Sequence, residues 1–364
     1  MTAVHQFVPA LLPRDATGEH TLALRDALRD AGWASDIYVE AAHDDLWPEA
    51  RYFEEYAGRA RPGDVLLYQV ATGSPVAEFL LGRPEPLVLY YHNITPASFY
   101  ETWEPSTASK VGEARAQLAA LVPRAALCMA ASAYSAAELE GLGCARPAVA
   151  PVLVDPARFA PEPDPAEAAR LAEGHGPGAV VLFVGRLSPN KAQHRLVETL
   201  WWLRRAHDPD ARLRLVGPAV TPAYAEAVLA FAGELGLAEA VEHGEDLTPA
   251  QLAAWYADAD VFVCQSEHEG FCIPLLEAMH FGVPIVATPA GAVPETLGDG
   301  GLLVGSDRPA DVAAVVSRVA ADPVLAGALA GAGTARLRTF APPVVRRRHV
   351  ELLAGVVTGP KVAA

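Results

Sequence analysis

What the chain lacks narrows it first. None of its apolar runs approaches 18 uninterrupted residues, so no membrane-spanning helix is predicted. Its first residues, MTAVHQFVPALLPRD, carry no basic region followed by a long apolar one, so no secretory signal is expected. Cysteine is scarce. Cys128, Cys144, Cys264 and Cys272 show neither a CxxC nor a Cys/His metal spacing. Cys128 and Cys264 fall in apolar runs and read as core thiols, which fits a reducing compartment. The expectation is a soluble, cytoplasmic protein. Positive charge is also short: 28 Lys and Arg face 44 Asp and Glu, a net charge of −16. That argues against a nucleic-acid partner, which needs a basic surface to neutralise phosphates. It leaves room for an anionic small molecule, for which a few local cations suffice. The first strand-to-helix loop lacks GxGxxG spacing, so a nicotinamide cofactor has little support. Asp208-Pro209-Asp210 looks like an Asp-x-Asp metal pattern, but it lies in a helix-to-strand turn where Asp and Pro are ordinary. No metal site is assigned.

What is present is a long, apolar, alternating chain. Its 364 residues exceed what one core usually supports, and 51% of them are apolar, so two domains are expected. His5–Val8, Asp36–Val39, Val65–Val70, Leu87–Tyr91, Ala125–Ala131 and Ala148–Val154 read as strands of a first sheet. A helical pattern from Glu19 lies between the first two, after a loop that contains Gly18. Continuous apolar strands such as Val65–Val70 suit a parallel sheet covered on both faces. Asp155–Gly178, rich in Pro and Gly, reads as the connection. A second series follows, with strands at Val180–Val184, Leu213–Val216, Val241–His243, Val261–Cys264, Pro284–Ala287 and Leu302–Val304. The division predicted is residues 1–165, residues 166–340 and a C-terminal helix in residues 341–364 that packs back on the first domain. The fold class is α/β, with two similar doubly wound sheets.

The stretch from Ser266 to Glu277 organises the second half. A buried strand ends at Cys264, a loop carries Glu269 and Gly270, and a helix is predicted to begin at Pro274, with Glu277 in its first turns. N–H groups around Phe271, Cys272 and Ile273 would head that helix, where an anion binds readily. The two carboxylates can act as general acid and base or hold sugar hydroxyls; the plain alternative is an acidic loop and a solvated helix residue. Upstream, Gly185 opens a loop with Arg186 and Lys191, two cations able to converge on a diphosphate, or else a solvated turn. His92 stands at a strand's carboxyl end, as a catalyst or as a structural hydrogen-bonder.

GRLSPNK (185–191), LVGP (215–218), ADVFVCQSEHEGFCIPLLEAM (259–279) and GVPIVATPAGAVPE (282–295) occur in that order. Together they resemble the donor-binding half of the family 4 glycosyltransferases, with their pair of glutamates eight positions apart. YYHNITP and PVLVDPARF extend the likeness into the first half. The resemblance implies the GT-B fold, two facing Rossmann-like domains with a cleft between them. It implies retaining, metal-independent transfer of a hexose from a nucleotide-diphosphate sugar, UDP- or GDP-linked, to an unidentified glycan, glycolipid or small-metabolite acceptor, with no cofactor. On that likeness Arg186 and Lys191 hold the diphosphate, with Gly185 opening their loop. Glu269 meets the donor sugar and Glu277 the ribose. Gly270 and the N–H groups of Phe271, Cys272 and Ile273 face sugar or phosphate. His92 reaches the sugar from the first domain, and Gly18 lies near the phosphates. Two departures are visible: Cys272 stands where the family often has Gly, and the first loop reads ATGEH rather than a Gly-Gly pair. A GT-B nucleotide-sugar epimerase and a non-catalytic two-lobed binding protein are the competing readings. Arg346-Arg347-Arg348 suits peripheral contact with an anionic membrane or a basic helix face packed on the protein.

Overall fold

In the computed structural model, which describes residues 3–13, 15–154 and 162–358, the apolar runs become two parallel sheets. Contacts divide the chain into unit 1 (Met1–Glu101, Pro105–Asp155 and Phe340–Ala364) and unit 2 (Thr102–Glu104 and Pro156–Thr339).

Unit 1 is built on β1 (Val4–Leu11), α1 (Ala16–Asp30), β2 (Ile37–Ala42), β3 (Ala50–Tyr52), β4 (Val65–Val70), α2 (Pro75–Leu81) and β5 (Leu87–Tyr91). It continues through α3 (Pro105–Leu121), β6 (Ala125–Ala130), α4 (Ala133–Gly141) and β7 (Ala148–Val149). The strand order is β3-β2-β1-β4-β5-β6-β7, with every pair parallel. All six residues of β4 are buried, as expected where helices cover both faces. Phe7, Tyr38, Leu66, Leu89, Tyr91 and Leu118 form the centre of the core.

Three local readings need correction. α1 starts at Ala16 rather than Glu19, because Asp15 caps it: its Oδ2 accepts from the Gly18 N–H at 3.0 Å. Gly18 is therefore in the first helical turn and not in a loop. The edge strand β3 was not foreseen, its three residues being too few to show a period. The strand expected over Ala148–Val154 is a strand only at Ala148 and Val149; its ladder ends where the Ala150 N–H donates to Ala130 O at 2.9 Å, and Val152 and Leu153 beyond it are buried.

Unit 2 contains α5 (Pro165–His175), β8 (Val180–Val184), α6 (Gln193–Ala206), β9 (Arg212–Val216), α7 (Pro222–Glu234), β10 (Val241–Gly244) and α8 (Pro249–Ala257). It continues with β11 (Val261–Cys264), α9 (Ile273–His280), β12 (Ile285–Ala287), α10 (Val293–Leu297), β13 (Leu302–Leu303), α11 (Pro309–Ala321) and α12 (Pro323–Leu337). The order β10-β9-β8-β11-β12-β13, again parallel throughout, is the Rossmann order. The boundary read at residue 165 moves: α5 lies whole in unit 2, where Glu167 accepts from Trp255 Nε1 at 2.7 Å and Arg170 reaches Glu242 at 2.6 Å. Part of the expected connection, residues 155–161, lies outside the described residues, as does the end of PVLVDPARF.

The chain closes with α13 (Pro342–Val357), which belongs to unit 1. It buries Val345, His349 and Leu353, and Arg346 pairs with Asp30 at 3.0 Å. Arg348 donates to the Val149 carbonyl, and the exposed Arg347 lies 3.8 Å from Glu351 on its own helix. Two of the three consecutive arginines are thus occupied within unit 1. No single helix among the described residues is long and apolar enough to cross a membrane.

Candidate functional site

In unit 2 the chain runs outward from β8 through β9 to β10, and in the other direction from β11 to β13. β8 and β11 therefore flank the topological switch point, whose carboxyl end is the usual ligand side of such a sheet. Every candidate donor-binding residue of the second half lies in the segment after one of these two strands.

After β8, the Gly185 N–H donates to Val216 O at 2.8 Å, and Leu187 N–H donates to Pro218 O at 2.9 Å. Gly217 lies so close behind that a Cβ there, at φ +140°, would sit 2.4 Å from Gly185 O. Only glycine fits. The loop thus turns sharply and leaves Arg186 exposed, with no ion pair or side-chain hydrogen bond among the described residues, while its carbonyl accepts from Gln193 Nε2 at 2.9 Å. Lys191 ends a short 3-10 turn, Pro189–Lys191, ahead of α6. Its Nζ lies 2.6 Å from Glu269 Oε2, both side chains being largely buried.

After β11, Ser266 Oγ donates to Glu269 Oε1 at 2.9 Å, so each Glu269 oxygen has a partner. The backbone of Glu269 is held from behind: its carbonyl accepts from the Ala292 N–H at 2.9 Å, and Gly291 (φ +52°) sits so close that a Cβ would lie 2.2 Å from that carbonyl oxygen. The two loops are locked together by the buried Asn190. Its carbonyl accepts from the N–H groups of Glu267 and His268, and its Nδ2 donates to His268 O at 3.2 Å.

Gly270 leads into Phe271, Cys272 and Ile273, which are all buried, and Phe271 O accepts from Thr296 Oγ1 at 2.6 Å. α9 begins at Ile273, one residue before the predicted start, because Cys272 takes the left-handed conformation (φ +70°) and serves as its N-cap. Pro274 is compatible with that, since its missing N–H falls in the first turn. Glu277, 1% exposed, accepts from the Tyr256 hydroxyl at 2.7 Å, and the Tyr256 ring stacks on Phe281. Cys272 Sγ lies 4.0 Å from Cys264 Sγ, a contact in which either thiol can donate, and Cys264 Sγ also lies 3.6 Å from Ser266 Oγ.

Unit 1 holds the other two predicted residues. The N–H of Gly18 is taken by Asp15, and a Cβ there would lie 3.0 Å from Leu12 O, so Gly18 is a packing glycine of α1 and its N–H is not open to a phosphate. His92 follows β5, and its surroundings were not foreseen. Gln6 Nε2 donates to Thr21 O at 2.9 Å, Gln69 Nε2 donates to Gln6 Oε1 at 2.8 Å, and Gln69 Oε1 meets His92 Nε2 at 2.8 Å. A carbonyl can only accept, so the polarity of the relay is set from the Thr21 end: His92 donates from Nε2 and keeps Nδ1 as an acceptor. Burial, reinforced by His349, pushes His92 down to about 3, so its ring is neutral at pH 7. His20 stacks on Tyr90 and meets His92 and His349 edgewise or tilted at 5.2 and 5.1 Å. The signal for this network was present in the sequence as Gln6 and Gln69, single polar residues inside otherwise apolar strands.

Residues 178–322 match the family model described as "Glycosyl transferases group 1". A GDP-mannose-dependent alpha-(1-6)-phosphatidylinositol monomannoside mannosyltransferase of Mycolicibacterium smegmatis is 38% identical over 189 residues, 50% of this chain and 48% of the relative. A D-inositol 3-phosphate glycosyltransferase of Actinosynnema mirum is 39% identical over 219 residues, 56% of this chain and 51% of the relative. The chain thus spans about half the length of the curated relatives it matches. The crystal structure of HepE from Anabaena in complex with UDP-glucose superposes with a TM-score of 0.77 at 20% identity, covering 97% of this chain and 99% of that one. The two parallel sheets and this likeness together give the chain the GT-B fold, and its second unit carries the segment similar to glycosyl transferases group 1.

Proposed function

We propose that the protein is a retaining glycosyltransferase of the family 4 kind. It moves a hexose from a UDP- or GDP-linked sugar to a hydroxyl of a glycan, glycolipid or small metabolite in the cytoplasm, without a bound metal. The observation that carries the reading is the Lys191–Glu269 pair at the switch point of the second sheet, 2.6 Å apart and largely buried, with the exposed Arg186 in the same loop as Lys191. The relative named for GDP-mannose and the neighbour solved with UDP-glucose support a nucleotide-sugar donor.

Cleavage of the glycosidic bond puts negative charge on the departing diphosphate. The Arg186 fork, the Lys191 ammonium and the N–H groups heading α9 at Cys272 and Ile273 lower that barrier, supplying the positive charge a metal would otherwise bring. Glu269, oriented by Ser266 and Lys191, faces the sugar. Glu277, held by Tyr256, takes the ribose hydroxyls. For His92, a neutral ring with an open Nδ1 suits accepting from a sugar hydroxyl better than meeting a phosphate. The acceptor's proton passes to the leaving phosphate oxygen, on the face from which the acceptor attacks, which is how configuration is retained without a placed base.

The test is transfer from a panel of UDP- and GDP-sugars, with the product anomer assigned by NMR. Lys191→Ala and Glu277→Ala each lower kcat/KM by ~10²–10³ with the fold kept, and EDTA does not lower turnover. Full transfer by either variant, an inverted anomer, or epimerisation of the donor without an acceptor defeats the reading.

A further inference from the structure

Cys264 Sγ, Cys272 Sγ and a carboxylate oxygen of Glu269 lie within 4.8 Å of one another, and all three residues are buried. We propose that these three side chains form a site for a soft divalent cation, zinc being the type case, and that its occupation shuts the donor site. The second half of this statement rests on the glycosyltransferase reading; the first does not.

The spacing suits the ion. Two thiolates at about 2.3 Å from a tetrahedral zinc are ~3.8 Å apart, and the two sulfurs here are 4.0 Å apart. Little has to move. The chemistry of the donors selects soft metals: two thiolates favour zinc and its neighbours, whereas magnesium and calcium prefer oxygen. The charges also close. Two thiolates and a carboxylate bring three negative charges, and a divalent ion with the Lys191 ammonium already on Glu269 brings three positive ones. A buried cluster without that balance would be costly. Ser266 hydroxyl, 2.9 Å from Glu269 Oε1 and 3.6 Å from Cys264 Sγ, orients the carboxylate as a supporting group does around a metal. Water would complete a tetrahedral set. Both cysteines are free thiols, and a thiol ligates a metal only as the thiolate, so binding must expel thiol protons.

The consequence follows from geometry. Glu269 bound to a metal cannot contact the sugar, and Cys272, the N-cap of α9, is pinned where the N–H groups of that helix begin. The ion would inhibit without taking part in the reaction.

The experiment titrates the full chain with cobalt(II) in a non-thiol reductant. The expected result is a thiolate-to-cobalt charge-transfer absorption with tetrahedral ligand-field bands at one equivalent, lost on adding zinc, with about two protons released per ion. Cys272→Gly, which suits the backbone at φ +70° and so keeps the fold, weakens binding by at least about 100-fold. Replacing the other thiol pair, Cys128→Ser with Cys144→Ser, leaves the absorption in place. Stoichiometric zinc abolishes transfer by the unaltered protein, a chelator restores it, and Cys264→Ser is insensitive to zinc. No charge-transfer band, or a band that survives in Cys272→Gly, overturns the site. Zinc-insensitive transfer alongside an intact band overturns the inhibition. A band in a protein that transfers no sugar leaves the site standing and removes only the glycosyltransferase reading.

Discussion

Glu269 is positioned from behind as much as from the sides. Lys191 and Ser266 hold its two oxygens, but the backbone is placed by Gly291, whose φ of +52° and 2.2 Å clearance admit no side chain. Gly291→Ala must therefore push the Glu269 carbonyl away as well as strain its own backbone. We expect a loss of about 1–3 kcal/mol in stability from the backbone alone, and a fall in kcat/KM of up to ~100-fold from misplacing the carboxylate by about an ångström. Gly305→Ala is the control, since nothing lies within 4 Å of its added Cβ. Thermal unfolding and transfer kinetics of both variants check this, and equal behaviour of the two would refute it. Arg186, Lys191, Glu269 and Glu277 could be singled out in the sequence because they fall in motifs that resemble the family 4 glycosyltransferases, after strands that the apolar pattern marks. Asn190, Gly291 and Tyr256 were not. Their roles come from contacts to other loops, strands and helices, and no local period records such pairings.

At the level of elements, the parallel strands were the legible part, because strands buried on both faces are apolar without interruption. Helix starts were read less well. α1 begins early because Asp15 reaches the Gly18 N–H, and α9 begins early because Cys272 adopts a conformation that L residues rarely take. The polar insertions in β1 and β4 have a use that only the sheet order explains. β1 and β4 are neighbours, so Gln6 and Gln69 meet, and the relay from the Thr21 carbonyl reaches His92. Gln69→Leu removes the acceptor that keeps the His92 proton on Nε2. The two-bond nitrogen–proton NMR pattern of His92 should change from the single Nε2–H tautomer to a mixture, and the donor KM should rise more than kcat falls. Glutamine at position 69 would be packing only if the tautomer stayed pure in the variant.

At the scale of the whole chain, two Rossmann-like units were legible from length and from two successive strand series, whereas the return of α13 to unit 1 depends on contacts some three hundred residues apart in sequence, such as Arg346 with Asp30. That return has an electrostatic consequence. α13 brings His349 against His20 and Tyr90, closing a buried cluster with His92. The Leu153 N–H donates to His20 Nδ1 at 2.9 Å, which requires a neutral His20 ring, while His349 Nε2 donates to Pro151 O at 2.9 Å, a bond that opposes the effect of burial on His349. Burial pushes His20 well below its ordinary 6.5, His92 to about 3 and His349 to about 4, with His–His repulsion adding to the first two and Arg348 to the third. For a folded-state value below the unfolded one, the unfolded chain binds more protons in the interval between them. Stability is therefore fully present above about pH 6.5 and falls as pH drops toward 4 and then 3. The carboxylates held below their ordinary range, such as Glu85 and Glu167, begin to contribute only below about pH 4.5, so the interval from 6.5 to 5 belongs to histidine. Denaturant unfolding across it should lose on the order of a few kcal/mol by pH 5. Replacing His349 with glutamine, which can still donate to Pro151 O, should reduce that slope while leaving stability at pH 7.5 within about 1–2 kcal/mol of the parent. A flat profile between pH 6.5 and 5 in the unaltered protein would show that the buried histidines carry no such linkage.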